Sequence, residues 1–275
     1  MIQVVDRVPT YPNRVKITKS NGTSEYVTWE RADEPTVEGT PINKALFDSI
    51  AADQGLAAAK TVYVAASGSN TLGDGSSTSP YATIAKALST LPKNLNGYDV
   101  TISAATGTYN EDVSVSGFFG GNIILSGASG GSITIKSLTV KDGASLHISS
   151  SISMGVSGSA GTAGIVVQQG KLLSFATNVF VTAAQNIGVY VARGGFSMFG
   201  SLSVSNSKTI AVQATSGATV YIDSLLGTNN SGIAIQSGNG ALVGFNSKSI
   251  AASATFLTMY GGRIYTGSQA DTPNY

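Results

Sequence analysis

The sequence predicts a mainly β protein, a β-solenoid of about seven coils preceded by a small hairpin-plus-helix segment. Three observations predict it. Apolar-x-apolar triplets recur at Leu138-Thr-Val140, Ile165-Val-Val167, Val189-Tyr-Val191, Ile210-Ala-Val212 and Ile233-Ala-Ile235, and their successive starting positions differ by 27, 24, 21 and 23. Most are followed by Gly and a second β-rich run, as at Lys171-Leu-Leu-Ser-Phe175, Phe196-Ser-Met198 and Thr219-Val-Tyr-Ile222. Finally, 11% of the 275 residues are charged while 42% are hydrophobic and 33 are Gly, so Ser, Thr, Asn and Gly must clothe the surface. A period in the low twenties, with several short strands per turn, suits a coil whose alternate side chains point inward and stack as ladders of like residues.

Positions 1–60 are a different text. Twelve of the fifteen carboxylates lie within residues 1–112, leaving Asp142, Asp223 and Asp271 in the remaining 163. Residues 14–18 and 25–30 alternate apolar and polar side chains around Asn21-Gly22, which predicts a hairpin. Thr40 can cap a helix whose first position is Pro41, where a missing N–H costs nothing. Ile42, Leu46 and Ile50 then recur at i, i+4 and i+8, an apolar stripe narrow enough to need a partner, such as the same helix in neighbouring subunits. Ala51–Lys60 reads as the helix end or a helical linker.

The string Arg31-Ala-Asp-Glu-Pro-Thr-Val-Glu-Gly-Thr-Pro-Ile-Asn-Lys44, preceded by Pro9-Thr-Tyr-Pro-Asn-Arg-Val-Lys16, resembles the amino-terminal segment of fibre-like virion proteins from phages of Gram-positive bacteria. The resemblance runs from the amino terminus to about position 55. It implies a bacteriophage fibre or spike assembled in the host cytoplasm, with residues 1–60 joined to head or tail/baseplate proteins. Arg31, Asp33, Pro35, Gly39, Thr40, Pro41 and Asn43 are then the attachment candidates, and Ile42, Leu46 and Ile50 the candidates for homotrimer contact. The bland alternative is a hairpin-plus-helix cap in which Arg31, Asp33, Glu34 and Glu38 form a solvated loop.

Residues 61–97 read as a cap. Thr61–Ala65 is a strand, a Gly/Ser/Asp/Asn loop runs to Pro80, and Ile84, Leu88 and Leu91 mark an amphipathic helix stopping before Pro92. Further strands follow at Asp99–Ser103 and Val113–Val115. With Gly73-Asp-Gly-Ser-Ser, Pro80-Tyr-Ala-Thr-Ile-Ala-Lys-Ala-Leu88 and Gly107-Thr-Tyr-Asn-Glu111, this order is similar to the amino-terminal cap of pectate-lyase-like right-handed parallel β-helices, over positions 61–115. The domain division expected is therefore 1–60 and 61–275. At roughly 23 residues per coil, residues 98–260 make about seven coils and a rod about 33 Å long. A propeller blade needs about 40 residues, and no leucine-rich framework occurs. The aromatic tail 256–275 is expected to cover the last coil or to meet neighbouring subunits. Tyr260, Arg263 and Tyr265 in it are the candidate contacts to host cell-surface carbohydrate.

Catalysis is not expected, and neither is a cofactor or metal. Glycoside hydrolysis generally needs two carboxyl groups within about 5–10 Å of each other, whereas Asp142 and Asp223 lie more than three coils apart. Pectate-type chemistry needs clustered Asp ligands for Ca²⁺ and a basic residue. The alternative retained is a polysaccharide depolymerase, a tailspike-type glycan hydrolase or lyase; within a trimer an intersubunit pair involving Asp112 or Glu111 is one arrangement open to it. The one histidine, His147, falls on the polar register of Ser145–Ser149 and reads as a surface residue. The glycines of 127–131 and 194–195 read as coil corners, not phosphate loops. The absence of Cys removes disulfides and thiolate metal sites, and the first residues lack the layout of a secretory signal. No apolar run of about 18 residues is present to cross a bilayer, and a formal charge of +1 gives no reason to expect nucleic-acid or anionic-lipid partners.

Overall fold

A computed structural model describes residues 14–18, 22–28, 55–155, 163–182, 186–266 and 269–270. The chain divides into two compact units, Met1–Gln54 and Gly55–Tyr275. In the first, strands Arg14–Thr18 and Ser24–Thr28 pair antiparallel, with Val15 opposite Val27 and Thr18 opposite Ser24, as the alternation requires. Gly22 takes the left-handed step of the connection at φ +81°. The expected helix with Ile42, Leu46 and Ile50, and the attachment candidates Arg31, Asp33, Pro35, Gly39, Thr40, Pro41 and Asn43, lie outside the described residues.

The second unit is a parallel β-solenoid of about seven turns, with three faces per turn. The first face stacks Lys60–Val64, Val100–Ala104, Ile123–Gly127, Ser145–Ile148 and the amino-terminal halves of Lys171–Val181, Phe196–Val204, Thr219–Gly227 and Leu242–Ile250, and ends at Arg263–Thr266. The second face stacks Ile133–Ile135 and Ile152–Met154 beneath the carboxyl-terminal halves of the same long strands. The third face runs from Asp112–Ser116 through Ser137–Lys141, Ala163–Gln168, Ile187–Ala192, Ile210–Ala214 and Ile233–Gly238 to Ala254–Met259. The triplets are third-face strands, and the second β-rich runs open the long strands that bend from first face to second. At the bend two successive residues leave the core, as Asp223 and Ser224 do.

Inward side chains form the ladders that hydrophobic burial demands. Val113, Leu138, Ile165, Val189, Val212 and Ile235 lie in one row of the third face, each at most 1% exposed. Each fully buried side chain of this kind stabilises the fold by about 1.5–3 kcal/mol. One expected spacing is corrected here. Val189 pairs with Val212, and Ile210 with Ile187, so the step between these rungs is 23 and not 21. A slip of two leaves every side chain on its proper face, which is why alternation alone did not reveal it. Small polar residues also enter the core: Ser174 lies beside the fully buried Phe199, and Ser197 Oγ is buried with no hydrogen-bond partner.

Corners between third and first faces repeat one turn. Asp142-Gly143, Arg193-Gly194, Ser216-Gly217, Asn239-Gly240 and Tyr260-Gly261 all have both residues at φ between +49° and +79°, the type I′ pattern that favours Gly at its second position. These turns also bond to one another, Gly194 N to Ser216 O and Gly217 N to Asn239 O, both 3.0 Å. Gly195, expected at a corner, approaches the previous rung so closely that a Cβ there would sit 2.8 Å from Val167 O.

Helix Ile84–Ser89 closes the amino-terminal end, burying Ile84, Ala87 and Leu88 against strands Lys60–Val64, Val100–Ala104 and Asp112–Ser116. It is shorter than expected: Thr90 is the C-cap, and Leu91 is buried beyond it, before Pro92. At the other end Gln269–Ala270 pairs antiparallel with Tyr265–Thr266. On the second face, Lys248 occupies the inward row of Ile133, Ile152, Val179, Leu202 and Leu225. Its ammonium stands 4.2 Å from the centroid of Phe256, whose ring is 5.4 Å from that of Phe245. Among the described residues no strand pairs beyond Leu242–Ile250 on this face, and a charge in the core register there opposes further strand addition, while its alkyl stem covers the apolar end.

Candidate binding surface

The solenoid's described carboxylates are all engaged in holding local structure. Glu111 accepts from the backbone N–H groups of Ile84 (2.7 Å) and Ala85 (2.9 Å), and Thr83 Oγ1 accepts from Lys86 N at 3.1 Å. Together they satisfy the orphan donors of the cap helix. Tyr109, in the same Gly107–Glu111 string, is buried and donates its hydroxyl to Ala105 O at 2.8 Å, and burial with the nearby Glu111 charge raises its pKa. Asp112 accepts from Ser137 Oγ at 2.6 Å. Asp99 accepts from Asn122 Nδ2 (2.8 Å) and N (3.1 Å). Asp142, in its left-handed turn, accepts from Ser116 Oγ at 2.5 Å and lies 3.7 Å from the Lys141 ammonium. Asp223 accepts from Asn246 Nδ2 at 2.8 Å. Asp74 accepts from Ser76 N at 2.9 Å, and its pKa is lowered mainly by that bond.

Asp142 and Asp223 occupy different corners, Asp142 between third and first faces and Asp223 at the bend of the first into the second, three rungs further on. Among the described residues no three His, Cys, Asp or Glu come together as metal ligands, and no helix is long and apolar enough to cross a membrane. His147 points outward from the first face and is half-buried; burial lowers its pKa, with Asp99 acting in the opposite sense.

The three outer faces differ in chemistry. On the second face, Asn178, Ser201, Ser224 and Ser247 stand in one row. A shallow groove of ≈ 720 Å³ at its far end is lined by Ser203, Ser205, Leu226, Thr228, Lys248 and Ser249. On the third face Gln213 donates to Gln236 in a row that also holds Val166, Tyr190 and Leu257. The first face carries Thr61, Thr101, Ile124, His147, Leu173, Met198, Tyr221, Gly244 and Tyr265 in register, with Leu173 itself buried. Sequence reasoning missed this row, although runs without alternation, such as Ile123-Ile-Leu125 and Val220-Tyr-Ile222, signal a sheet apolar on both sides.

The candidate tip residues fall in the last turn. Tyr260 occupies the final corner and is 79% exposed. Arg263 and Tyr265 lie two apart on the last first-face strand, with Arg263 Nη1 donating to Tyr265 OH at 3.4 Å. An aromatic ring beside a guanidinium can stack on a sugar face and donate to its hydroxyls. No family model, no curated protein and no solved structure matches the chain.

Proposed function

We propose that the protein is a non-enzymatic structural component of a bacteriophage particle, a short fibre or spike. Its amino-terminal segment joins head or tail/baseplate proteins through Arg31, Asp33, Pro35, Gly39, Thr40, Pro41 and Asn43, and three copies associate through Ile42, Leu46 and Ile50. The solenoid projects from the virion and offers its hydroxyl- and amide-rich faces to host surface glycans, with Tyr260, Arg263 and Tyr265 as contacts.

The observation that carries this reading is the engagement of Asp99, Glu111, Asp112, Asp142 and Asp223 in separate structural hydrogen bonds, at different places on the solenoid. Side chains held this way hold turns and caps together, and the polar rows around them suit display. The resemblance of residues 9–44 supplies the phage setting. The test is incubation of the full chain with host envelope preparations, followed by measurement of released reducing ends. The account predicts no release above a buffer control. Release abolished by Asp142→Ala or Asp223→Ala would instead establish a depolymerase.

A further inference from the structure

We infer that Asn21 is the chain's site of spontaneous deamidation, and that the two Asn-Gly pairs of the solenoid are held closed to the same chemistry by their turns. The sequence contains three such pairs, Asn21-Gly22, Asn96-Gly97 and Asn239-Gly240. Asn-Gly is the most reactive context for this reaction, because Gly has no side chain to shield its backbone nitrogen. That nitrogen gives up its proton and attacks the Asn Cγ; the Cγ–Nδ2 bond breaks, ammonia leaves with the proton, and a cyclic succinimide remains. Water then opens the ring at one carbonyl or the other, giving Asp or isoaspartate. The balance is one water consumed and one ammonia released.

Burial does not protect the solenoid pairs, since Asn96, Gly97, Asn239 and Gly240 are all exposed; their hydrogen bonds do. Asn96 and Asn239 stand at φ +52° and +49°, and their glycines at +84° and +72°, so both pairs occupy a left-handed turn. The attacking nitrogen is engaged in each. Gly240 N donates to Tyr260 O at 3.2 Å, and Gly97 N donates to Gly120 O, acceptors that belong to the next corner of the stack. The leaving amide is tethered as well, Asn239 Nδ2 to Thr215 Oγ1 at 3.0 Å and Asn96 Nδ2 to Leu56 O at 3.1 Å. Attack requires both bonds to break first, which slows it by about tenfold or more. Gly22 is placed differently. It is exposed at φ +81°, an added Cβ there would meet nothing within 4 Å, and its two-stranded hairpin has no further turn stacked on it among the described residues. Deamidation therefore adds a carboxylate to the unit Met1–Gln54 and leaves the solenoid's corners unchanged.

The full chain is held folded at mildly alkaline pH, where the backbone nitrogen loses its proton more readily, and a parallel sample is held in guanidinium chloride, with unfolding checked by far-ultraviolet dichroism. Digestion and fragment mass spectrometry then read the mass increase from Asn to Asp at each pair. In the folded chain Asn21 should convert about tenfold or more faster than Asn96 and Asn239. In denaturant the three should convert at similar rates, because the turns that distinguish them are gone. Asn96 or Asn239 keeping pace with Asn21 in the folded chain overturns the inference, and so does protection that persists in denaturant, which would belong to flanking sequence. Thr215→Val removes the Asn239 tether at a half-buried position. Asn239 should then convert several times faster, while Asn96 in the same chain keeps its rate and reports that the solenoid is folded. An unchanged Asn239 rate would strike the tether from the account, and if both rates rise the comparison of folded and denatured parent decides alone. The reaction is read without reference to where the protein is displayed, so its failure leaves the fibre reading standing.

Discussion

At the scale of single residues, two groups make separable contributions. Glu111 reaches back 26 and 27 positions to cap the helix that seals the amino-terminal end. Glu111→Ala leaves two helix N–H groups without their acceptor and should cost about 1–2 kcal/mol, read as a lower denaturant midpoint at unchanged slope. Glu111→Gln, which keeps one oxygen acceptor, should lose less. His147 predicts a pH effect. Its folded pKa lies below the ordinary 6.5, so the unfolded chain binds more protons between the two values and stability falls as pH drops through that window. Thermal midpoints at about pH 7.5 and about pH 5.5 should differ more for the parent chain than for His147→Gln, because carboxylates titrate mostly lower. Equal losses in both would assign the effect elsewhere. The outward register of His147 was legible from strand alternation. The role of Glu111 was not, because its partners are backbone groups that only the closed cap brings near.

At the scale of elements, the repeat was legible but its register was not fully so. Triplet spacing misplaced one step by two positions, since Ile187, Val189, Ile210 and Val212 all suit a strand and a slip of two preserves their faces. The turn glycines Gly194, Gly217, Gly240 and Gly261 mark the register from Phe196 onward, since a positive φ at the second turn position favours Gly, whereas the corner before Lys171 departs from the pattern, with Gln169 and not Gly170 at positive φ. The last described second-face strand gives the element-scale prediction. Lys248→Ile continues the inward apolar row of Leu202 and Leu225 and removes the charge opposing strand addition. Light scattering at fixed concentration should then grow with time for Lys248→Ile and stay flat for Lys248→Arg. A monodisperse Lys248→Ile would show that the edge is protected by something other than this cation.

At the scale of the whole molecule, composition foretold the architecture. A chain with so few charges and so many glycines and β-formers buries its apolar side chains best by stacking short strands, and the solenoid of about seven turns is that solution. The candidate surface was less legible. Tyr260, Arg263 and Tyr265 could be named from an aromatic cluster near the end of the sequence, but the apolar outer row is assembled one residue per rung, from positions 21–26 apart. Local runs without alternation, such as Val220-Tyr-Ile222, mark single apolar outward positions, but which of them stack in one row is hidden until the register is known. The central claim, that the solenoid is displayed on a phage particle, is tested most directly by imaging intact particles labelled with gold-conjugated antibody against residues 120–250. The account predicts label on projections at the particle surface; purified particles that carry the chain nowhere, or that expose it only after disruption, would contradict it.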